Sequence, residues 1–435
     1  MPSTRWPTWS PHHTESNPVA SARTANAFGP LVSPMYCAPI STRRTLPATQ
    51  GGRRLCSARQ DHQGGSMANA PISADSHIVE PPNCYVDYIE PRYRAIAPRC
   101  DVNAHGAAAY TIDGITNPIA VGMLAAAGMT PEQVKVHKRS SFSEITRAAW
   151  EPNERIAAQD RDGVGGELIF ASVGMVLCSH PDYDYKRACM QAYNRWLAEF
   201  CGAHPTRLFG LAQTAVSSVD QAIEDFVAAK EAGMAGMMVT GTPQHEDYDH
   251  PDYDALWECA VDLDLPICFH ILTSKDYDAS TALTSPRGHS ANAFMNLIRG
   301  VQDILGLFVF GGVFERHPEL QMVVAEGDAG WVPHWMYRAD HAAERWGRSM
   351  QRTISKQPSE YVLSNVHFTF QDDKTAYETT MVDSKCLMWA SDFPHTDSTW
   401  PHSQSVLAAQ TGHLAADQRA RALHGNAAEV FHLGV

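Results

Sequence analysis

The chain has 435 residues, 44% of them hydrophobic, 9% aromatic and 19% charged. That composition supports a large core and excludes a wholly disordered, collagen-like or coiled-coil protein. A formal charge of −14 excludes a general nucleic-acid binder, because phosphate contact needs a basic surface. The longest nearly apolar stretch, 306–314 (GLFVFGGVF), is about half of the ~20 residues a membrane span takes. A soluble protein with no membrane partner is therefore expected. The ten cysteines, at 37, 56, 84, 100, 178, 189, 201, 259, 268 and 386, form no CxxC pair and read as reduced thiols in a cytoplasmic protein.

Residues 1–66 differ from the rest. They hold seven arginines, no lysine and two acids, Glu15 and Asp61, for a net +5 that leaves −19 elsewhere. The segment reads as a disordered extension, preceding a start at Met67, or as an Arg- and Ser-rich organelle transit peptide. The folded domain is placed at 67–435.

From Ile72 the chain repeatedly sets a short apolar run before a helical one. Strands are predicted at 71–74, 166–170 (GELIF), 207–211 (RLFGL), 236–239, 266–269, 322–325, 366–370 and 386–390. Helices are expected over 154–160 and 253–261. Ser218 and Gln221 form a capping-box pattern that opens another, with Ala222, Phe226 and Val227 on one face and Gly233 as its stop. Eight such units with continuous apolar strands fit a (β/α)8 TIM barrel, an α/β fold whose reactive groups gather at the carboxyl ends of the strands.

The polar residues at those ends form a pattern. Strand one runs into Asp75-Ser76-His77, whose i, i+2 spacing on an extended chain sends both side chains one way. Strand five ends in His270 and strand eight in Ser391-Asp392-Phe393-Pro394-His395. Two carboxylates and two imidazoles around one barrel mouth suit a single divalent cation, Zn²⁺ best, with Mn²⁺ and Fe²⁺ as alternatives.

With these residues in place the chain resembles the amidohydrolase superfamily, within it the branch of aminocarboxymuconate-semialdehyde decarboxylase and the non-oxidative hydroxybenzoate decarboxylases. The resemblance covers 72–435 and rests on DSHIVEP (75–81), AYNRWL (192–197) with RLFG (207–210), LPICFH (265–270), FERHPEL (314–320) and SDFP (391–394). It implies a (β/α)8 barrel, one metal held by Asp75, His77, His270 and Asp392, and a homodimer. Two departures stand out: Asp75 replaces an imidazole of the usual signature, and Glu326 stands where the family has its catalytic histidine. Strand four ends in Thr240-Gly241, without the lysine that bridges two metals in binuclear members.

The expected activity is metal-dependent decarboxylation of a small aromatic or unsaturated carboxylic acid, with Glu326 and Asp392 as catalytic groups and Glu80, Trp331 and His395 as substrate contacts. Glu80 could instead hydrogen-bond the metal-ligand shell or cap the next helix. Hydrolysis by metal-activated water and a metal-free binding barrel are the rival readings. His317 reads as a structural hydrogen-bonding residue and 245–250 as a polar loop, since histidines at i and i+5 do not share a helix face. No GxSxG, P-loop or GxGxxG pattern is present.

Overall fold

The computed structural model describes residues 69–273, 292, 294–347, 353–377 and 384–435; the extension expected at 1–66 lies outside them. The strands, in chain order, are β1 (Ile72–His77), β2 (Arg99–Val102), β3 (Ala108–Thr111), β4 (Ile119–Ala120), β5 (Gly166–Phe170), β6 (Leu208–Thr214), β7 (Gly236–Val239), β8 (Ile267–His270), β9 (Met322–Ala325), β10 (Val366–Phe370) and β11 (Leu387–Trp389). Eight of them pair in parallel in the order β1-β5-β6-β7-β8-β9-β10-β11. Helices alternate with these strands, giving the expected (β/α)8 barrel.

β5, β7, β8 and β9 are buried along their whole length, which is why their sequences are continuous apolar runs rather than alternating ones. β1 runs on through His77 instead of stopping at Ala74, so its polar end belongs to the strand itself. β2, β3 and β4 form a small antiparallel sheet inserted between β1 and β5, an element the sequence pattern does not announce. Its strands have two to four residues, and β2 is largely exposed.

The helices begin and end where local chemistry dictates. Glu151 caps Pro152–Asp162 by accepting the Glu154 N–H at 2.7 Å, proline sits in the first turn, and Gly163 closes it at φ 70°. Ser218 accepts the Gln221 N–H at 3.2 Å and opens Val219–Glu231. The reciprocal half of the capping box is absent, because the Gln221 amide oxygen accepts from the Ser217 hydroxyl instead. The inward face of this helix is Ala222, Asp225, Phe226 and Ala229, while Val227 is 39% exposed. Asp225 takes the inner place because Arg187 and Thr214 donate to it.

His317 donates to Asp254 at 3.0 Å, as a structural histidine should. The segment 245–250 is non-helical, and its last residue caps the short turn Pro251–Tyr253. The eight described cysteines form no disulfide with one another. No helix among the described residues is long and apolar enough to cross a membrane.

Candidate metal centre

Three barrel strands end in a common cluster. Asp75 Oδ1 lies 3.3 Å from His77 Nε2, and Asp75 Oδ2 lies 3.5 Å from His270 Nε2. The two Nε2 atoms are 3.2 Å apart, and Asp392 Oδ1 is 3.6 Å from His77 Nε2. All four residues are fully buried. Glu326, just past β9, brings Oε2 to 3.5 Å from His270 Nε2 and leaves 16% of its side chain exposed.

The outer hydrogen bonds say which way these rings are protonated. His77 Nδ1 lies 2.8 Å from the Ala171 carbonyl and His270 Nδ1 lies 3.0 Å from the Ile271 carbonyl. A carbonyl only accepts, so each Nδ1 carries the hydrogen and each neutral ring turns a bare Nε2 lone pair inward. Asp75 Oδ1 and both Asp392 oxygens are buried and accept no hydrogen bond. Lone pairs so crowded repel unless a cation lies among them. Ligand bonds of about 2.0–2.2 Å at roughly tetrahedral or octahedral angles put neighbouring donor atoms about 3.0–3.5 Å apart, close to the separations found here. The donor set therefore fits a divalent metal.

Without a cation, protons must do that work. Burial opposes charge on His270, but Asp75 outweighs it and holds the imidazole above its ordinary value. Burial likewise works against charge on Asp75, where His270 and His77 prevail and hold the carboxyl well below the usual range. For His77 burial wins, drawing it down to about 4 with help from His395. Burial pushes Asp392 up to about 8, opposed by His77. It pushes Glu326 well above the usual carboxylate range, with Asp392 and Asp75 adding to the effect.

Both Glu326 (φ 54°) and Asp392 (φ 55°) adopt the left-handed backbone region, sparsely populated for residues with a Cβ and typical of functional positions. Here the turn immediately after β9 or β11 aims a carboxylate at the cluster.

His395 stacks on His77, with ring centroids 4.0 Å apart. Its Nδ1 is 3.0 Å from Asp392 Oδ1 and its Nε2 is 2.8 Å from Ser172 Oγ. With 14% of its side chain exposed, it lies at the rim of the cluster. Trp331 donates its indole N–H to the Gly327 carbonyl at 2.7 Å and packs edge-on against Phe368.

Glu80 does not join this group. It is fully buried and accepts from the backbone N–H groups of Ser172, Val173 and Gly174 at 3.0–3.2 Å and from the Tyr85 hydroxyl. Glu80 thus caps a helix, but Val173–Leu177 after β5 rather than the next one in the chain, Cys84–Tyr88, and both its oxygens are taken up by these bonds. Thr369 was not anticipated: its hydroxyl accepts the Glu326 N–H at 2.8 Å and reaches Asp75 Oδ2 at 3.5 Å. The only signal in sequence is a hydroxyl inside the apolar run VHFTF.

The chain belongs to the amidohydrolase family, whose model matches residues 100–433. That match takes in His270, Glu326 and Asp392; Asp75 and His77 precede it. The chain is similar to the decarboxylase orsB of Emericella nidulans, 28% identical over 137 residues, which are 28% of this chain and 37% of the relative. It is also similar to 2-amino-3-carboxymuconate-6-semialdehyde decarboxylase of Dictyostelium discoideum, 23% identical over 203 residues, 46% of this chain and 54% of the relative. These matches thus span about a third to a half of each relative's length.

Among solved structures, an amidohydrolase from Mycobacterium avium subsp. paratuberculosis K-10 superposes with a TM-score of 0.68 at 17% identity, over 84% of this chain and 99% of that one. The 5-carboxyvanillate decarboxylase of Novosphingobium aromaticivorans, complexed with manganese and 4-hydroxy-3-methoxy-5-nitrobenzoic acid, does so with a TM-score of 0.60 at 21% identity, over 85% and 98%. These likenesses establish the fold.

Proposed function

We propose that this protein is a divalent-metal-dependent decarboxylase of a small aromatic carboxylic acid. The observation that carries the reading is the inward convergence of bare acceptors from Asp75, His77, His270 and Asp392, with the partly exposed carboxyl of Glu326 on its edge. The decarboxylases among the relatives and solved structures, one of them holding manganese and a substituted benzoic acid, support the choice of chemistry.

Asp75, His77, His270 and Asp392 would hold the cation, which would supply Lewis-acid stabilisation of negative charge on the substrate. Glu326 does the proton work. Burial and the neighbouring carboxylates raise its hold on a proton, and the exposed part of its side chain lets it meet a substrate and then regain its proton from solvent. It delivers that proton to the ring carbon bearing the carboxylate. The bond to the carboxyl carbon then breaks, CO₂ leaves, and the electron pair returns to the ring. Thr369 fixes the Glu326 backbone so that the carboxyl faces this carbon. His395 and Trp331 border the space a flat ring would occupy.

The test is CO₂ release from a panel of hydroxybenzoates and muconates by protein loaded with Mn²⁺ or Zn²⁺. Turnover of at least one aromatic acid is expected. Glu326→Gln should lower kcat by about 10²–10⁴-fold with metal content unchanged. Absence of CO₂ release across the panel, or full activity in Glu326→Gln, rejects the reading.

A further inference from the structure

The barrel has a seam. Among the described residues no ladder joins β1 to β11, the two ends of the eight-stranded sheet. They are held instead by Ser391 N–H donating to Ser73 Oγ at 2.7 Å, Asp392 N–H to the Asp75 carbonyl at 2.9 Å, and His77 N–H to the Phe393 carbonyl at 2.7 Å. Three of the four candidate ligands straddle this gap: Asp75 and His77 on one side, Asp392 on the other.

A fully buried cation lies over it. Arg155, from the helix Pro152–Asp162, is 0% exposed. Its Nη2 donates to the His77 carbonyl at 2.7 Å and to the Phe393 carbonyl at 3.2 Å, and its Nη1 donates to the Ala148 carbonyl at 3.1 Å. Its Nε pairs with Glu167 at 2.5 Å, and the guanidinium lies 4.6 Å from the Phe393 ring centroid. Glu167 is completed by Gln159 at 2.7 Å and by the hydroxyl of Ser76, the residue between two candidate ligands, at 3.2 Å.

We infer that Arg155 is a positioning residue for the metal centre, setting the spacing of its ligands across the seam. The inference rests on the metal reading above. Arg155 touches no ligand side chain. One of its nitrogens draws together the backbone of His77 and that of the residue after Asp392, from opposite sides of a join that has no strand pairing. A guanidinium has the fixed fork of donors this needs, whereas an ammonium on a flexible stem is a point charge. A contribution to stability alone is a weak explanation, since buried ion pairs are often replaceable by apolar side chains without loss. What an apolar replacement cannot do is hold two carbonyls to one atom.

That contrast supplies the experiment. The double variant Arg155→Met/Glu167→Met removes the clamp without stranding a buried charge, and Arg155→Lys keeps the charge but not the fork. Arg187→Met is the control, because Arg187 ties Asp225 and Glu224 and bonds no candidate ligand. Binding of Mn²⁺ alone is titrated by the electron paramagnetic resonance of the free ion, with circular-dichroism melting alongside.

The double variant should bind Mn²⁺ roughly 10–100-fold more weakly than the parent, as loss of a ligand-orienting partner does. Arg155→Lys should fall between the two, and Arg187→Met should melt earlier with its Mn²⁺ affinity unchanged. Parental affinity in either Arg155 variant, or an equal loss in the control, overturns the inference and leaves the metal reading standing. A parent protein that binds no Mn²⁺ overturns both.

Discussion

His270 is where metal and proton compete for one lone pair. Its Nδ1 is committed to a backbone carbonyl, so only Nε2 can take either. Asp75, 3.5 Å away, raises the imidazole above its ordinary value despite burial. A metal must displace that proton and also the one that burial favours on Asp392, pushed up to about 8, so apparent affinity should weaken by about tenfold per pH unit for each of the two groups below its pKa, whereas His77, already at about 4, adds nothing until far lower. Stability runs the other way in the metal-free protein. A raised folded value means the folded state holds the proton more tightly than the unfolded chain; that contribution is complete below about 6.5 and is lost as pH rises through the higher folded value. Calorimetric titrations of Mn²⁺ at pH 6 and pH 8 should show tighter binding at pH 8 with proton release at pH 6. Equal affinity at the two values removes both His270 and Asp392 from the ligand set.

At the scale of elements, what was legible in the sequence depends on how completely an element is buried. Runs such as GELIF and MVVA lie in strands enclosed on both faces, so nearly every position must be apolar and the run marks the strand. The small sheet β2–β4 gives no such mark, since β2 packs almost nothing and β4 has two residues. Val227 misleads because its hydrophobicity suggests an inward place, whereas at i+5 from Ala222 it lies about 140° round the helix, and the inward place beside Phe226 goes to Asp225, tied to Arg187. Ligand-like residues at strand ends could be read because polar groups interrupt apolar runs there. Arg155 could not, because it acts from a helix through backbone carbonyls that carry no sequence signal.

Glu80 is the case at this scale with a measurable cost. It sits three residues past β1 and yet closes the start of Val173–Leu177, so it welds the loop after β1 to the segment after β5. Glu80→Ala leaves three buried N–H groups without an acceptor, each worth about 1–3 kcal/mol. A loss of about 3–5 kcal/mol in urea unfolding is expected, with Glu80→Gln losing less because its amide oxygen still accepts. A near-neutral Glu80→Ala would return Glu80 to the list of candidate substrate contacts.

For the whole molecule, a barrel gains from closure because every strand then has two neighbours. Here the ladder is open between β1 and β11. The proposed cation would stand in for the missing pairing, since its candidate ligands come from β1, from β8 opposite and from the turn after β11. Metal should therefore stabilise the fold by mass action, by about 2.7 kcal/mol at free metal 100 times the dissociation constant, and it should do so unevenly. Amide hydrogen exchange localises the effect. The N–H groups of His77 and Asp392, which cross the seam, should be slowed by metal more than those of Leu211 or Met237 in the paired interior of the sheet. A uniform slowing would mean that the cation stabilises the barrel without closing it, and that the seam is held by Arg155, the serine hydroxyls and the two backbone hydrogen bonds across it.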